Sequence, residues 1–358
     1  VKRNYELLIE KNNYLKGESV NFTFSNTESL TDGRISLYKS NEINFTNSNT
    51  LDWKFLNGSK DDNSNTSNGS VVFNSLPPGD YNAVLSGNKF SDIYKVIRFT
   101  VANIKEWTIM VYAHADHNLT PALIEDLLEM EQAGSDVNVN IVVQADIDTN
   151  NRFTKLWDSK HKIKDGFFDG VTRFLIEEDK DDNPLTFNSE ILENLPEERY
   201  MDDPVQLEEF VNWSISEFPA ERYGLVLWNH GAQFVGFGGD TNNGTLKHGK
   251  GLTSKEIRNS LLNSFILNKI EKFDFIGFDT CLMGGVEVIA DFQGLCDIYF
   301  GCAELDYGDG WDYENVFKII KLDPDIEILE FAKKEVEIWG RHHNAIPMDI
   351  SHKVHAAY

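Results

Sequence analysis

From Trp107 onward the chain carries near-continuous apolar runs, at Trp107–Ala113, Val137–Gln144, Tyr223–Trp228, Phe273–Phe278 and Ile298–Cys302. Strands that are apolar on both faces need cover on both faces, which is the situation of strands in a parallel sheet with helices above and below. Segments of helical spacing lie between them, at Pro121–Gln132, Glu208–Phe218, Ser254–Leu267 and Leu282–Asp291. Asp323–Trp339 reads as a further amphipathic helix with Arg341-His342-His343 as its solvated end. The expectation is an α/β domain over residues 104–358, cut short at its C-terminus.

The preceding residues follow a different pattern. Glu6–Glu10, Ser19–Phe24, Arg34–Ser40, Ser70–Asn74, Tyr81–Ser86 and Val96–Val101 read as short strands between clusters of Gly, Asn, Asp and Ser. Leu76-Pro77-Pro78-Gly79-Asp80-Tyr81 resembles the tyrosine corner of immunoglobulin-like and fibronectin-type domains. Residues 1–103 are therefore expected to form an all-β immunoglobulin/fibronectin-like sandwich, with Lys60–Gly69 as a mobile polar loop. This half holds no His and no Cys, so its expected role is accessory.

Charge narrows the partners. With 58 acidic and 33 basic side chains the net charge is -25, which repels phosphate backbones and anionic headgroups. Nucleic-acid and membrane-surface binding are thereby disfavoured, basic peptides are attracted, and no apolar run is long enough to span a bilayer. Three cysteines cannot all pair, which directs attention to a reactive thiol.

In open α/β sheets ligands bind beyond the carboxyl ends of the strands. The segments there are His114-Ala115-Asp116-His117-Asn118, Asn229-His230-Gly231, Asp279-Thr280-Cys281 and Glu304-Leu305-Asp306. His230 and Cys281 thus end consecutive strands, where an imidazole can take a thiol proton and return it to a leaving amine. A helix starting at Leu282 would favour the thiolate of Cys281, and backbone N–H groups there, with that of Gly231, would face a developing oxyanion. Gly284 and Gly285 imply close backbone approach. Cys296 and Cys302 read as core residues.

These blocks resemble the clostripain family of cysteine peptidases. The resemblance rests on Tyr223–Gly231 (YGLVLWNHG), Phe275–Met283 (FIGFDTCLM) with Val286-Glu287, Trp107–Tyr112, Glu129-Met130-Glu131 and the Leu252–Leu262 helix, and it covers Trp107 to Trp311. It implies a caspase-like three-layer domain with a mostly parallel sheet. It also implies a Cys281/His230 dyad with no obligatory third residue, oxyanion donors on Gly231 and Cys281, a thioester acyl-enzyme and cleavage after Arg or Lys. No cofactor is required for that chemistry; calcium for stability or activity is the one ion the resemblance brings with it. A secreted or cell-surface location is expected. The sequence departs from the family at Ala232-Gln233-Phe234, where glycines are usual, at Thr280 in place of Ala, and at His114 and His117 in a loop that is usually Ala and Asn.

A carboxylate beside the attacking thiol would hold a basic P1 side chain by a charge-assisted bond. Asp279, two residues before Cys281, is expected on the same face if the chain stays extended, with Glu304 and Asp306 as the opposite wall. Lys247 and Lys250 lie in a Gly/Asn-rich stretch suited to self-cleavage. Two other readings are a metal-dependent hydrolase built on His114, Asp116, His117 and His230, and an inactive surface-binding protein on the same scaffold.

Overall fold

The computed structural model describes residues 5–61, 64, 66–90, 92–147, 170–180, 186–195, 199–239, 251–306, 308–344 and 355–357. The chain divides into two compact units, residues 1–104 and 105–358.

In the first unit the strands are β1 (Glu6–Ile9), β2 (Asn13–Leu15), β3 (Val20–Ser25), β4 (Arg34–Lys39), β5 (Asp52–Phe55), β6 (Gly69–Phe73), β7 (Gly79–Ser86) and β8 (Ile93–Ala102). They form two sheets, β1-β3-β6 and β2-β8-β7-β4-β5. Alternating side chains, among them Phe22, Phe24, Leu37, Phe73, Leu85 and Phe99, fill one core. The Tyr81 hydroxyl donates to the Pro77 carbonyl at 2.5 Å. Of the Lys60–Gly69 stretch, residues 62, 63 and 65 lie outside the described residues.

The second unit contains β9 (Lys105–Ala115), α1 (Thr120–Ala133), β10 (Val139–Ile147), β11 (Gly170–Leu175), β12 (Glu190–Asn194), α2 (Pro204–Glu217) and β13 (Ala220–Trp228). It continues with α3 (Ser254–Asn268), β14 (Phe273–Asp279), α4 (Val286–Phe292), β15 (Cys296–Cys302), α5 (Tyr313–Leu322), α6 (Ile328–Asn344) and β16 (His355–Ala357). The sheet order is β12-β11-β10-β9-β13-β14-β15-β16. The five strands from β10 to β15 in that order are parallel, and β11, β12 and β16 run antiparallel at the edges.

Parity along β9 shows why these strands are apolar throughout. Trp107, Ile109 and Val111 face a core shared with α1, α5 and α6. Met110 and Tyr112 face a second core shared with α2, α3 and α4. Local signals fix the helix starts. Asp203 accepts from the Val205 N–H ahead of α2, Thr253 and Glu256 form a capping box on α3, and Asp312 caps α5.

Three expectations are corrected. The helix after Cys281 starts at Val286, not Leu282. The intervening amides are spent elsewhere: Leu282 N–H donates to Glu304 O at 2.9 Å and Gly284 N–H to Cys302 O at 2.8 Å. Leu282 also adopts a φ of 65°, outside the helical region. The helix expected over Asp323–Trp339 is α6, which starts only at Ile328; α5 lies wholly before that range and ends at Leu322. Pro324 biases Asp323 away from helical geometry and separates the two. His343, expected in solvent, is 1% exposed and packs against Trp339. Its Nε2 donates to Gly310 O at 2.9 Å.

Candidate active site

The chain builds β10 on one side of β9 and then β13 to β15 on the other, so the sheet reverses direction between β9 and β13. A crevice opens at the carboxyl ends of such neighbouring strands. The segments leaving β9, β13 and β14 there carry most of the side chains singled out from the sequence.

Strands β13 and β14 pair in parallel with Trp228 opposite Asp279. Asn229-His230-Gly231 and Thr280-Cys281 therefore leave the sheet side by side. Gly231 lies against the nucleophile candidate so closely that a Cβ on it would stand 2.1 Å from the Cys281 carbonyl oxygen and 2.9 Å from Thr280 Oγ1. The N–H groups of Gly231 and Cys281 donate to no acceptor among the described residues.

Cys281 is half-buried and its thiol is free. Sγ accepts the Asp306 N–H at 3.3 Å. With α4 beginning five residues later, this amide rather than a helix terminus is the backbone group that meets the sulfur. The close approach expected of Gly284 is present, since a Cβ there would come within 2.8 Å of the Gly301 to Ala303 backbone. Gly285 has only the Glu287 side chain nearby, at 3.5 Å. Cys302 is buried, and burial pushes the Cys296 thiol up to about 12.

His230 Nε2 lies 3.1 Å from Asn118 Oδ1. Desolvation by the surrounding protein draws the His230 pKa below the ordinary imidazole value. The His117 ring stacks on it, with centroids 5.0 Å apart and planes inclined by 29°. His117 Nδ1 accepts the Leu119 N–H at 3.2 Å, so its Nε2 carries the proton and donates to Asn229 Oδ1 at 2.9 Å. That Asn229 oxygen also accepts the backbone N–H of His230. Burial, then the nearby His230, lowers the His117 pKa to about 4. His114 is 1% exposed, its ring 5.7 Å from that of His117, and burial holds its pKa well below the usual value. The residues of the metal reading are thus partly gathered, but His117 has both ring nitrogens committed to protein partners. Among the described residues no group of three or more His, Cys, Asp or Glu is placed to hold a metal ion.

Asp279 is 5% exposed. Its Oδ2 accepts the Tyr313 hydroxyl at 2.7 Å and the Trp311 N–H at 3.2 Å. Tyr313 N–H donates to Glu129 Oε2 at 3.2 Å, and Trp228 Nε1 donates to Asp126 Oδ2 at 2.6 Å. Desolvation and then Asp279 raise the Asp126 pKa well above the carboxylate range. Desolvation and then Asp312 raise that of Glu129 to about 7. Asp279 therefore belongs to a buried carboxyl group shared with α1 and α5. Glu304 is exposed and Asp306 half-buried on the segment that contacts Cys281. Lys247 and Lys250 lie outside the described residues.

A family model described as the clostripain family matches residues 111–354, more than half of the chain. The chain belongs to the clostripain family. Clostripain from Hathewaya histolytica is 27% identical over 231 residues, covering 60% of this chain and 42% of that protein. The structure of a secreted C11 cysteine protease from Bacteroides thetaiotaomicron, in complex with an irreversible peptide inhibitor, matches with a TM-score of 0.51. It is 21% identical and the match covers 70% of this chain and 63% of that one, a likeness of fold. The chain thus spans less than half the length of clostripain and under two thirds of the Bacteroides protease. The clostripain-family unit has a mixed α/β architecture with a large, mostly parallel sheet, and none of its described helices is long and apolar enough to cross a membrane.

Asn118, Asn229 and the Asp306 amide were not singled out from sequence. Asn118 sits in the loop that follows β9, but an Asn in a polar loop carries the same signal as any turn residue. Asp126 lies on a helix read from its apolar spacing, and Glu129 entered only within the Glu129-Met130-Glu131 block.

Proposed function

We propose that this chain is a cysteine endopeptidase with Cys281 as nucleophile and His230 as general acid and base. The observation that carries the reading is the approach of Gly231 to the Cys281 backbone at the ends of β13 and β14, with the N–H groups of both residues uncommitted among the described residues. His230 removes the Cys281 proton, and the thiolate adds to the scissile carbonyl carbon. The N–H groups of Gly231 and Cys281 take the developing oxyanion. As the C–N bond breaks, His230 gives its proton to the leaving amine, and the acyl group stays on sulfur as a thioester. Water, deprotonated by His230, then releases the acid and restores the thiol.

Arg or Lys at P1 fits the acidic surroundings. Glu304 and Asp306 lie on the segment that touches the thiol, and Asp279 stands two residues before it. Peptide or protein substrates with basic P1 residues, and secretion like that of the Bacteroides protease, belong to the same reading. The strand order of residues 1–104, with the Tyr81 to Pro77 bond, supports an immunoglobulin-like accessory sandwich.

The test is turnover of peptides with Arg, Lys, Asp or Asn at P1 by the wild-type chain and by Cys281→Ala. Cleavage after Arg and Lys that disappears in Cys281→Ala supports the proposal. Equal turnover by both proteins would overturn it.

A further inference from the structure

We propose that Asn118 is a positioning residue that holds His230 with its proton on Nε2 and so leaves Nδ1 as the base for the thiol. The inference rests on the dyad reading above and adds a member to it.

The argument starts from donors and acceptors. A neutral imidazole has one N–H and one acceptor nitrogen, and a carboxamide oxygen can only accept. With Asn118 Oδ1 at 3.1 Å, His230 Nε2 has to be the protonated nitrogen. The remaining acceptor is Nδ1, and the proposal gives that nitrogen the Cys281 proton. In the opposite tautomer Nδ1 would already carry a proton and could take none from the thiol. The bond to Asn118 persists when His230 becomes imidazolium, and it strengthens as charge develops, because a charged donor makes the stronger hydrogen bond. Asn118 therefore favours the charged state that follows proton transfer more than the resting state.

The carboxamide is delivered by a fixed turn rather than a loose loop. His117 N–H donates to Ala115 O at 2.7 Å, and Thr120 N–H donates to His117 O at 3.2 Å. Thr120 Oγ1 lies 2.5 Å from Ala115 O and 2.8 Å from His117 O, and Thr120 is buried. The neighbouring His117 supplies a wall behind the His230 ring, and its own orientation is set by Leu119 N–H on one nitrogen and Asn229 Oδ1 on the other. Because Asn229 also accepts the His230 backbone N–H, one side chain ties the wall to the residue it supports. Both Asn118 and His230 are exposed, so removing the Asn118 carboxamide leaves no buried group unpaired and has little reason to unfold the chain.

The experiment compares the full chain with Asn118→Ala and Asn118→Asp by imidazole nitrogen NMR of His230 and by steady-state kinetics on Arg-P1 and Lys-P1 peptides, with Cys281→Ala as the blank. In the wild type His230 is expected as the Nε2–H tautomer. In Asn118→Ala the two tautomers mix, and kcat falls about 10- to 100-fold at similar KM, part of what general acid–base catalysis supplies. Asn118→Asp keeps an acceptor, so the Nε2–H tautomer returns and the His230 titration midpoint rises beside the added carboxylate. An unchanged tautomer ratio in Asn118→Ala overturns the proposal whatever the kinetics. If no peptide is cleaved in a Cys281-dependent manner, the peptidase reading fails, while the NMR comparison still decides whether Asn118 sets the tautomer.

Discussion

A Cβ placed on Gly231 would stand 2.1 Å from the carbonyl oxygen of Cys281. The residue after His230 and the backbone of Cys281 are thus in direct contact, and no side chain fits between them. Any substituent at residue 231 has to push the β13 and β14 ends apart, which would also move both N–H groups assigned to the oxyanion. Gly231→Ala is expected to lower kcat/KM for Arg- and Lys-P1 peptides by about 100-fold or more, the scale of losing an oxyanion donor. Near-native kinetics of the purified variant would show that the two amides do not serve that role.

The three thiols should react in a fixed order. Cys281 is half-exposed, Cys296 has its thiol pushed up to about 12, and Cys302 is fully buried. Only a thiolate alkylates quickly. Brief iodoacetamide treatment near pH 7.5 should modify Cys281 alone, as read by peptide mass spectrometry. Comparable labelling of Cys296 would contradict this assignment.

Asp279 has a structural task whatever its part in specificity. Asp279→Ala would leave the buried Tyr313 hydroxyl and Trp311 N–H without their acceptor, at a cost of about 1–3 kcal/mol for each. A lowered Tm is therefore expected together with loss of Arg/Lys preference. Asp279→Asn keeps an acceptor oxygen while removing the charge, so it should recover most of the stability and none of the preference. If both variants still favour basic P1 residues, the specificity carboxylate lies elsewhere, with Glu304 and Asp306 next to be tested.

Glu129 gives stability a pH dependence of one sign. Its folded pKa is about 7 against an ordinary 4.5, so the folded chain holds more protons than the unfolded chain between those values. Stability from this group accordingly falls as pH rises from about 4.5 to about 7. Glu129→Gln should gain stability over wild type at pH 8 and differ little at pH 4.5, in urea denaturation at the two pH values.

His117 acts in the opposite direction. Its folded pKa is about 4 against 6.5, so the unfolded chain takes up the proton first on acidification. Stability from His117 is complete above about pH 6.5 and is lost as pH falls toward 4, with a total on the order of 3 kcal/mol. His117→Asn should flatten the fall in denaturation midpoint between pH 6.5 and 4. An unchanged slope would mean that His117 is already charged in the folded chain.

Residue patterns alone carried the α/β organisation of the second unit. Trp107–Ala113 and Phe273–Phe278 are apolar at nearly every step, Thr108 and Asp274 apart, because each strand is buried on both faces, and that property needs no knowledge of the neighbours. Strand β12, Glu190–Asn194, has no such signature, because its side chains are mostly exposed at the sheet edge. Helix α4 was placed too early for a related reason. Leu282 and Met283 have helical composition, but the N–H groups of Leu282 and Gly284 are held by Glu304 and Cys302, partners about twenty residues away.

What the sequence by itself determined is therefore the pair of strand ends that present His230 and Cys281, since strand periodicity and the following residues are local properties. What only the tertiary structure decided is how those residues are supported. The Asn118 oxygen at His230, the Asp306 amide at the thiol and the Tyr313 hydroxyl on Asp279 all come from other elements. Hydrogen bonds act over about 3 Å in space and are indifferent to separation along the chain, so sequence spacing carries no record of them.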